Sequence, residues 1–135
     1  MRVVLDTNVL LVSIPKKSKY RSIFDALING QFNAIISNEI LSEYIEIIEQ
    51  KTTFLIAASI AESLLNLRSV VKVDVYFEWK LISSDLDDNK FVDAYIAGNA
   101  DYIITNDNHF KVLKQIEFPK VNILTIDEFL SLIEE

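Results

Sequence analysis

Short apolar runs alternate along this chain with longer segments whose apolar residues recur every three or four positions. The first run, 2–5, is long enough only for a strand and ends at Asp6-Thr7-Asn8, where Val9 to Val12 open a helix capped by Thr7 or Asn8. After a loop at 14–19, Tyr20, Ile23, Phe24, Leu27 and Ile28 predict a helix over 20–29 that stops at Asn29-Gly30. A strand over 32–36 follows, then Ser37-Asn38 offers caps to a helix packing through Ile40, Leu41, Tyr44, Ile45 and Ile48. Residues 54–67 form another amphipathic helix, and the run 70–75 reads as a third strand, whereas 76–84 has no clear period. Asp85 to Asp88 suit a helix start, with Phe91, Ala94, Tyr95 and Ala97 as its packing face up to Gly98. A strand over 102–105, a short helix over 109–114, a fifth strand over 121–124 and a helix over 127–134 complete the alternation. Strands separated by helices imply a mainly parallel sheet with helices on both faces.

At 135 residues and 50% hydrophobic content the chain can bury a real core, and a single domain spanning 1–135 is expected. With two Gly, two Pro and no Cys, a disordered composition, a disulfide scaffold and a thiolate zinc site are excluded, so any metal is held by oxygen or by the lone His109. The apolar N-terminus is interrupted by Asp6 and followed by no cleavage pattern, and no run reaches the length of a bilayer span. The expectation is a soluble cytoplasmic protein with no membrane partner. A net charge of -7 argues against binding nucleic acid through bulk electrostatics, unless the acids are concentrated where cations reverse their sign.

Their positions favour concentration. In open parallel sheets ligands bind at the carboxyl ends of strands near the switch point of strand order, and both Asp6 and Asp107 fall at such ends. Glu43 sits within a helix whose Glu39, Glu46 and Glu49 make a solvated acidic face the plainer explanation. Asp85, Asp87 and Asp88 also suit a helix N-terminus, while Asp93, among Phe91, Val92 and Ala94, is harder to assign to a solvated face. Converging carboxylates would repel one another, and Mg²⁺ or Mn²⁺ is the natural compensation for an all-oxygen set. Such ions support phosphodiester hydrolysis without His, Ser or Cys nucleophiles.

The segments LDTNVLL, SNEILSEY and DLDDNKFVDAYIAGNADYIITNDNHF together resemble PIN-domain ribonucleases over nearly the whole chain, in particular the branch of toxin components similar to VapC-type toxins. The resemblance implies a three-layer α/β/α sandwich around a parallel sheet of about five strands. It implies a Mg²⁺- or Mn²⁺-dependent endoribonuclease, commonly a homodimer, neutralised by an antitoxin. By position, Asp6, Glu43, Asp88 and Asp107 match the family's catalytic metal-binding acids, Asp93 matches a further metal-binding acid, and Thr7, Asn8 and Thr105 match accessory polar positions. Spacing to Phe91 and Ala94 selects Asp88, though Asp85 or Asp87 could take its place. Asn106 stands where many relatives have Gly.

Beside the resemblance, Lys16, Lys17, Lys19 and Arg21 form a basic loop close to the Asp6 edge, able to contact RNA phosphates or simply to be solvated. His109 reads more readily as a surface or capping residue than as a ligand, and Trp79 and the other aromatics read as core. A receiver domain would need an acidic pair near Asp6 and a Lys after the fifth strand. A haloacid-dehalogenase-type phosphatase would need Asp where Asn8 stands, and both features are missing. A catalytically silent PIN-like module that binds RNA or protein, or a housekeeping RNA-processing nuclease, would share the same fold.

Overall fold

The computed structural model describes all 135 residues. Short β-branched runs form the strands β1 (Arg2–Leu5), β2 (Asn33–Ile36), β3 (Val70–Lys72), β4 (Tyr102–Ile104) and β5 (Ile123–Leu124). The periodic segments form α1 (Thr7–Ser13), α2 (Arg21–Ile28), α3 (Asn38–Lys51), α4 (Phe54–Asn66), α5 (Asn89–Ala97) and α6 (Ile126–Glu134). All five strands are parallel in the order β3-β2-β1-β4-β5, flanked by helices, as the alternating pattern requires. The chain leaves β1 toward β2 and β3, then returns to β4 on the other side of β1. The order therefore reverses between β1 and β4, where Leu5 pairs with Ile104.

Val3, Val4, Ile35, Ile103 and Ile104 are fully buried and continuous with Ile23, Ile40, Val92 and Phe129 in one hydrophobic core. Phe32 and Phe129 meet edge to face at 5.1 Å, tying α6 to the base of β2. Local chemistry sets the helix ends. Ser37 accepts the Ile40 N–H at 3.3 Å to cap α3, and Thr125 and Glu128 form a reciprocal capping box on α6. Gly30 takes φ +74 after α2, which favours glycine. Gly98 ends α5 for a different reason: a Cβ there would stand 2.6 Å from Ile35 Cγ2, so only a glycine lets α5 approach β2 this closely.

Several predicted boundaries move. The N-cap position of α1 is Asp6, not Thr7 or Asn8, because the Thr7 side chain turns to Glu43. β3 stops at Lys72, since residues 73–84 leave the sheet as an extended strap across α5, and β5 is reduced to Ile123–Leu124. The strap is held by side chains that replace the missing ladder. Asn89 accepts the Ile82 N–H at 2.9 Å and donates to the Ile82 carbonyl at 2.8 Å, satisfying a fully buried residue, and Asp93 accepts the Trp79 N–H at 3.0 Å. The segment after β4 is a 3₁₀ helix, Asn108–Gln115, and Asp85 caps a 3₁₀ turn, Leu86–Asp88, that leads into α5.

Candidate active site

Asp6 is placed by the end of β1. Its N–H donates to the Ile104 carbonyl at 3.0 Å, which sets it beside Thr105 at the carboxyl edge where strand order reverses. Thr105 then links the two strand-end acids: its hydroxyl donates to Asp6 Oδ2 at 2.7 Å and accepts the Asp107 N–H at 3.0 Å. From the neighbouring layer α3 brings Glu43, which receives a short hydrogen bond from the Thr7 hydroxyl and an ion pair from Lys90 Nζ at 2.7 Å. Tyr44, one residue on, is buried and donates its hydroxyl to the Leu5 carbonyl, locking α3 against the end of β1. Asp88 enters from the start of α5 and is buried, Asp85 is half-buried and Asp87 beside Asp88 is exposed.

The electrostatics record the crowding. Burial raises the Asp6 carboxyl above its ordinary value; hydrogen bonds from Thr105 and the Thr7 backbone oppose this, and the Asp107 and Glu43 charges add to the rise. Asp88 is pushed up to about 6, first by burial, then by the Asp107 and Asp85 charges, against a lowering contact with His109. Asp6 also contributes to that rise, so Asp6, Asp88 and Asp107 share one field. Burial and the Asp6 and Glu43 charges hold the Tyr44 hydroxyl protonated, as its donor role requires.

His109, expected at the surface, is exposed, and it also faces the acids, a placement the sequence reading did not foresee. Its Nδ1 lies 3.2 Å from Asp88 Oδ2, 3.2 Å from Asp107 Oδ1 and 3.8 Å from Asp85 Oδ2. The ring reaches this position because Asp107 accepts the His109 N–H at 2.8 Å, a turn that folds the side chain back over the acid two residues before it. An Asx turn after a strand-end Asp is the local signal that could have indicated it. Lys90 carried no such signal, since its partner Glu43 is 47 positions away in the chain.

Asp93 requires a correction. Its carboxylate faces Trp79, and the charges that raise it alongside burial are Glu78 and Glu39, not those of the Asp6 cluster. It lines a separate cavity of about 480 Å³ with Ser37, Glu39, Glu78 and Lys90, so it pins the strap and is not brought to the other acids. Trp79 is likewise only partly buried, meeting Phe77 and the exposed Phe118 edge to face at 4.9 and 6.3 Å.

A cleft of about 370 Å³ opens at Asp6 and Asp107 and is lined by Asn8, Val12, Tyr20 and Asn106. Asn106 accepts the Ile126 N–H at 3.0 Å and ties this turn to α6. Tyr20 sets the basic loop beside the cleft. Within that loop Arg21 is occupied by Ile14 and Asp25 and Lys19 by Asp127 at 3.6 Å, leaving Lys16 and Lys17 exposed without an ion-pair partner. No helix is long and apolar enough to cross a membrane.

The donor set fits a divalent ion. Ligand atoms of Asp85, Asp88 and His109 lie within 4.8 Å of one another, and Asp107, Asp6 and Glu43 stand near enough to add their charges, an oxygen-rich arrangement of the kind Mg²⁺ or Mn²⁺ occupies. Similar folds occur in solved structures. VapBC2 from Rickettsia felis, bound to a DNA fragment from its promoter, superposes with a TM-score of 0.64 at 19% identity, covering 93% of this chain and 98% of that one. DNA-bound VapBC from Salmonella typhimurium gives 0.58 at 14% identity, covering 93% and 98%. The PIN domain endonuclease Utp24 gives 0.54 at 19% identity, covering 92% and 84%. No curated protein matches the sequence significantly. The sequence itself matches the PIN domain profile over residues 2–109, a stretch that runs from β1 through Asp107 to His109 and takes in every acid of the cluster; the chain belongs to the PIN domain family.

Proposed function

We propose that this chain, acting as a single domain, is a metal-dependent endoribonuclease that hydrolyses RNA phosphodiester bonds at the Asp6–Glu43–Asp88–Asp107 cluster. The observation that carries the reading is that Thr105 ties Asp6 to Asp107 at the strand-order switch point, and that burial and the Asp107 charge raise both Asp6 and Asp88. Carboxylates held this way destabilise the fold unless a cation compensates them. Asp6, Glu43, Asp88 and Asp107 would hold Mg²⁺ or Mn²⁺, which when bound polarises a phosphate and lowers the pKa of water.

The chain's own residues supply the positioning. Thr105 fixes Asp6 relative to Asp107, Thr7 and Lys90 orient Glu43, and Tyr44 prevents α3 from sliding away from β1. Asn8 borders the cleft that would receive the backbone, and Lys16 and Lys17 lie beyond Tyr20 where flanking phosphates would pass. The toxin role, with a cognate antitoxin, a homodimer and a cytoplasmic site of action, is the finer part of the same proposal. Its support is the likeness in fold to the VapBC complexes and the exposed Phe54, Leu55 and Leu65 of α4, which offer apolar surface for a protein partner.

Cleavage of a mixed-sequence RNA by purified protein in Mg²⁺, Mn²⁺ or EDTA tests the activity, beside Asp6→Asn and Asp107→Asn variants shown to be folded by circular dichroism. Metal-dependent cleavage lost in both variants is the expected result. Cleavage that survives both, or survives EDTA, rules the acidic site out as its source. Charge reversal at Lys16 and Lys17 should weaken RNA binding and flatten its salt dependence; unchanged values remove the loop from the interface.

A further inference from the structure

We propose that His109 is a direct ligand of the divalent ion, giving the Asp88–Asp107 side of the site one nitrogen donor and a preference for transition ions such as Mn²⁺ over Mg²⁺. The proposal rests on the acidic-site reading above and adds to it a ligand of a different chemical type.

The geometry supports it in two independent ways. First, the ring is aimed. Asp107 accepts the His109 N–H at 2.8 Å, so the backbone turn and not a chance rotamer brings Nδ1 to 3.2 Å from both Asp88 and Asp107. Second, the acceptors around the ring outnumber its hydrogens. Nδ1 carries at most one hydrogen, yet three carboxylate oxygens face it, at 3.2, 3.2 and 3.8 Å, two from the turn into α5 and one from the end of β4. One donor cannot satisfy three acceptors in different directions, whereas one divalent ion can accept lone pairs from all of them.

The spacing is close to that of a shared ion. Donor atoms of Asp85, Asp88 and His109 lie within 4.8 Å of one another. Ligands across an ion with bonds of about 2.1 Å stand up to about 4.2 Å apart, so a small closure suffices. The side chain is 44% exposed, leaving it free to make that movement.

Nitrogen ligation changes which ion is favoured. Carboxylates alone suit Mg²⁺ and Mn²⁺ alike, while imidazole adds affinity for first-row transition ions and little for Mg²⁺. His109→Gln should therefore weaken Mn²⁺ binding by about tenfold or more while Mg²⁺ binding moves by less than about threefold.

The sequence makes the test clean, because this chain has a single His and a tag-free preparation has no other imidazole. Pulsed electron paramagnetic resonance on the protein loaded with one equivalent of Mn²⁺ reads directly coordinated nitrogen, and calorimetric titration with Mn²⁺ and with Mg²⁺ reads selectivity. The expected result is a strong ¹⁴N coupling in the wild type, absent in His109→Gln, together with the unequal affinity losses. Bound Mn²⁺ lost on Asp107→Asn but showing no nitrogen coupling in the wild type would overturn the role of His109 and leave the acidic site standing. Failure of the wild type to bind Mn²⁺ at all would overturn both. The wild-type spectrum depends on no variant, so a folding defect cannot hide the answer.

Discussion

Replacing Asp88 with Asn should stabilise the metal-free protein at neutral pH while removing metal binding. The Asp88 carboxyl is raised from an ordinary value of 3.8 to about 6 by burial and by Asp107 and Asp85. Each unit is worth about 1.4 kcal/mol, so ionised Asp88 costs the fold about 3 kcal/mol at most at pH 7.5. Its neighbours are partly solvated, and screening leaves about 1–2 kcal/mol. The sign follows from proton uptake: between the two values the native state binds more protons than the unfolded chain, so stability falls as pH rises from about 4 to about 6 and is flat above. Asparagine keeps an oxygen toward His109 and carries no charge. Thermal unfolding in EDTA should place Asp88→Asn about 4–8 °C above wild type at pH 7.5, with roughly half that gain at pH 5. Adding Mn²⁺ should raise the wild type and leave the variant unmoved. A variant less stable than wild type in EDTA at pH 7.5 would refute the claim that the acids are held against their own repulsion.

The corrected role of Asp93 makes a contrasting prediction. Asp93→Asn retains an acceptor for the Trp79 N–H, so RNA cleavage should stay within about threefold of wild type, whereas a loss beyond about a hundredfold would restore Asp93 as a ligand. Asn89→Ala strips both hydrogen bonds from the buried Ile82 backbone and should cost about 2–4 kcal/mol in urea unfolding, with new protease cutting inside residues 73–84 of the otherwise folded protein. Uniform loss of stability without local cutting would mean that the strap does not open separately.

The layered parallel fold was legible because it depends on period alone. Runs such as 2–5 and 102–105 are too short and too apolar for anything but buried strands, and the segments between them repeat at helical spacing. The Asp6 and Asp107 edge followed from the same reading, since a parallel sheet delivers strand ends to one side. Glu43 and Asp88 were placed by resemblance, as periodicity alone could not separate a ligand from a solvated acid on a helix.

Tertiary structure decided what the neighbours of each acid are, because charge and burial are fields set by residues distant in sequence. Asp93 was matched to a metal-binding acid by resemblance, its apolar flanks only setting it apart from a solvated face, yet its carboxylate serves the Trp79 backbone in a strap that has no period to read. Asp88 and Asp87 are adjacent and chemically identical, and only the turn into α5 buries one and exposes the other. Lys90 meets Glu43 across 47 positions, and His109 turns back onto Asp107 while also reaching Asp88 from across the sheet edge. The chain's pattern was sufficient to specify the scaffold and the edge at which the acids gather; which of them share one field, and which cation or donor faces them, follows from packing between helices that no local pattern encodes.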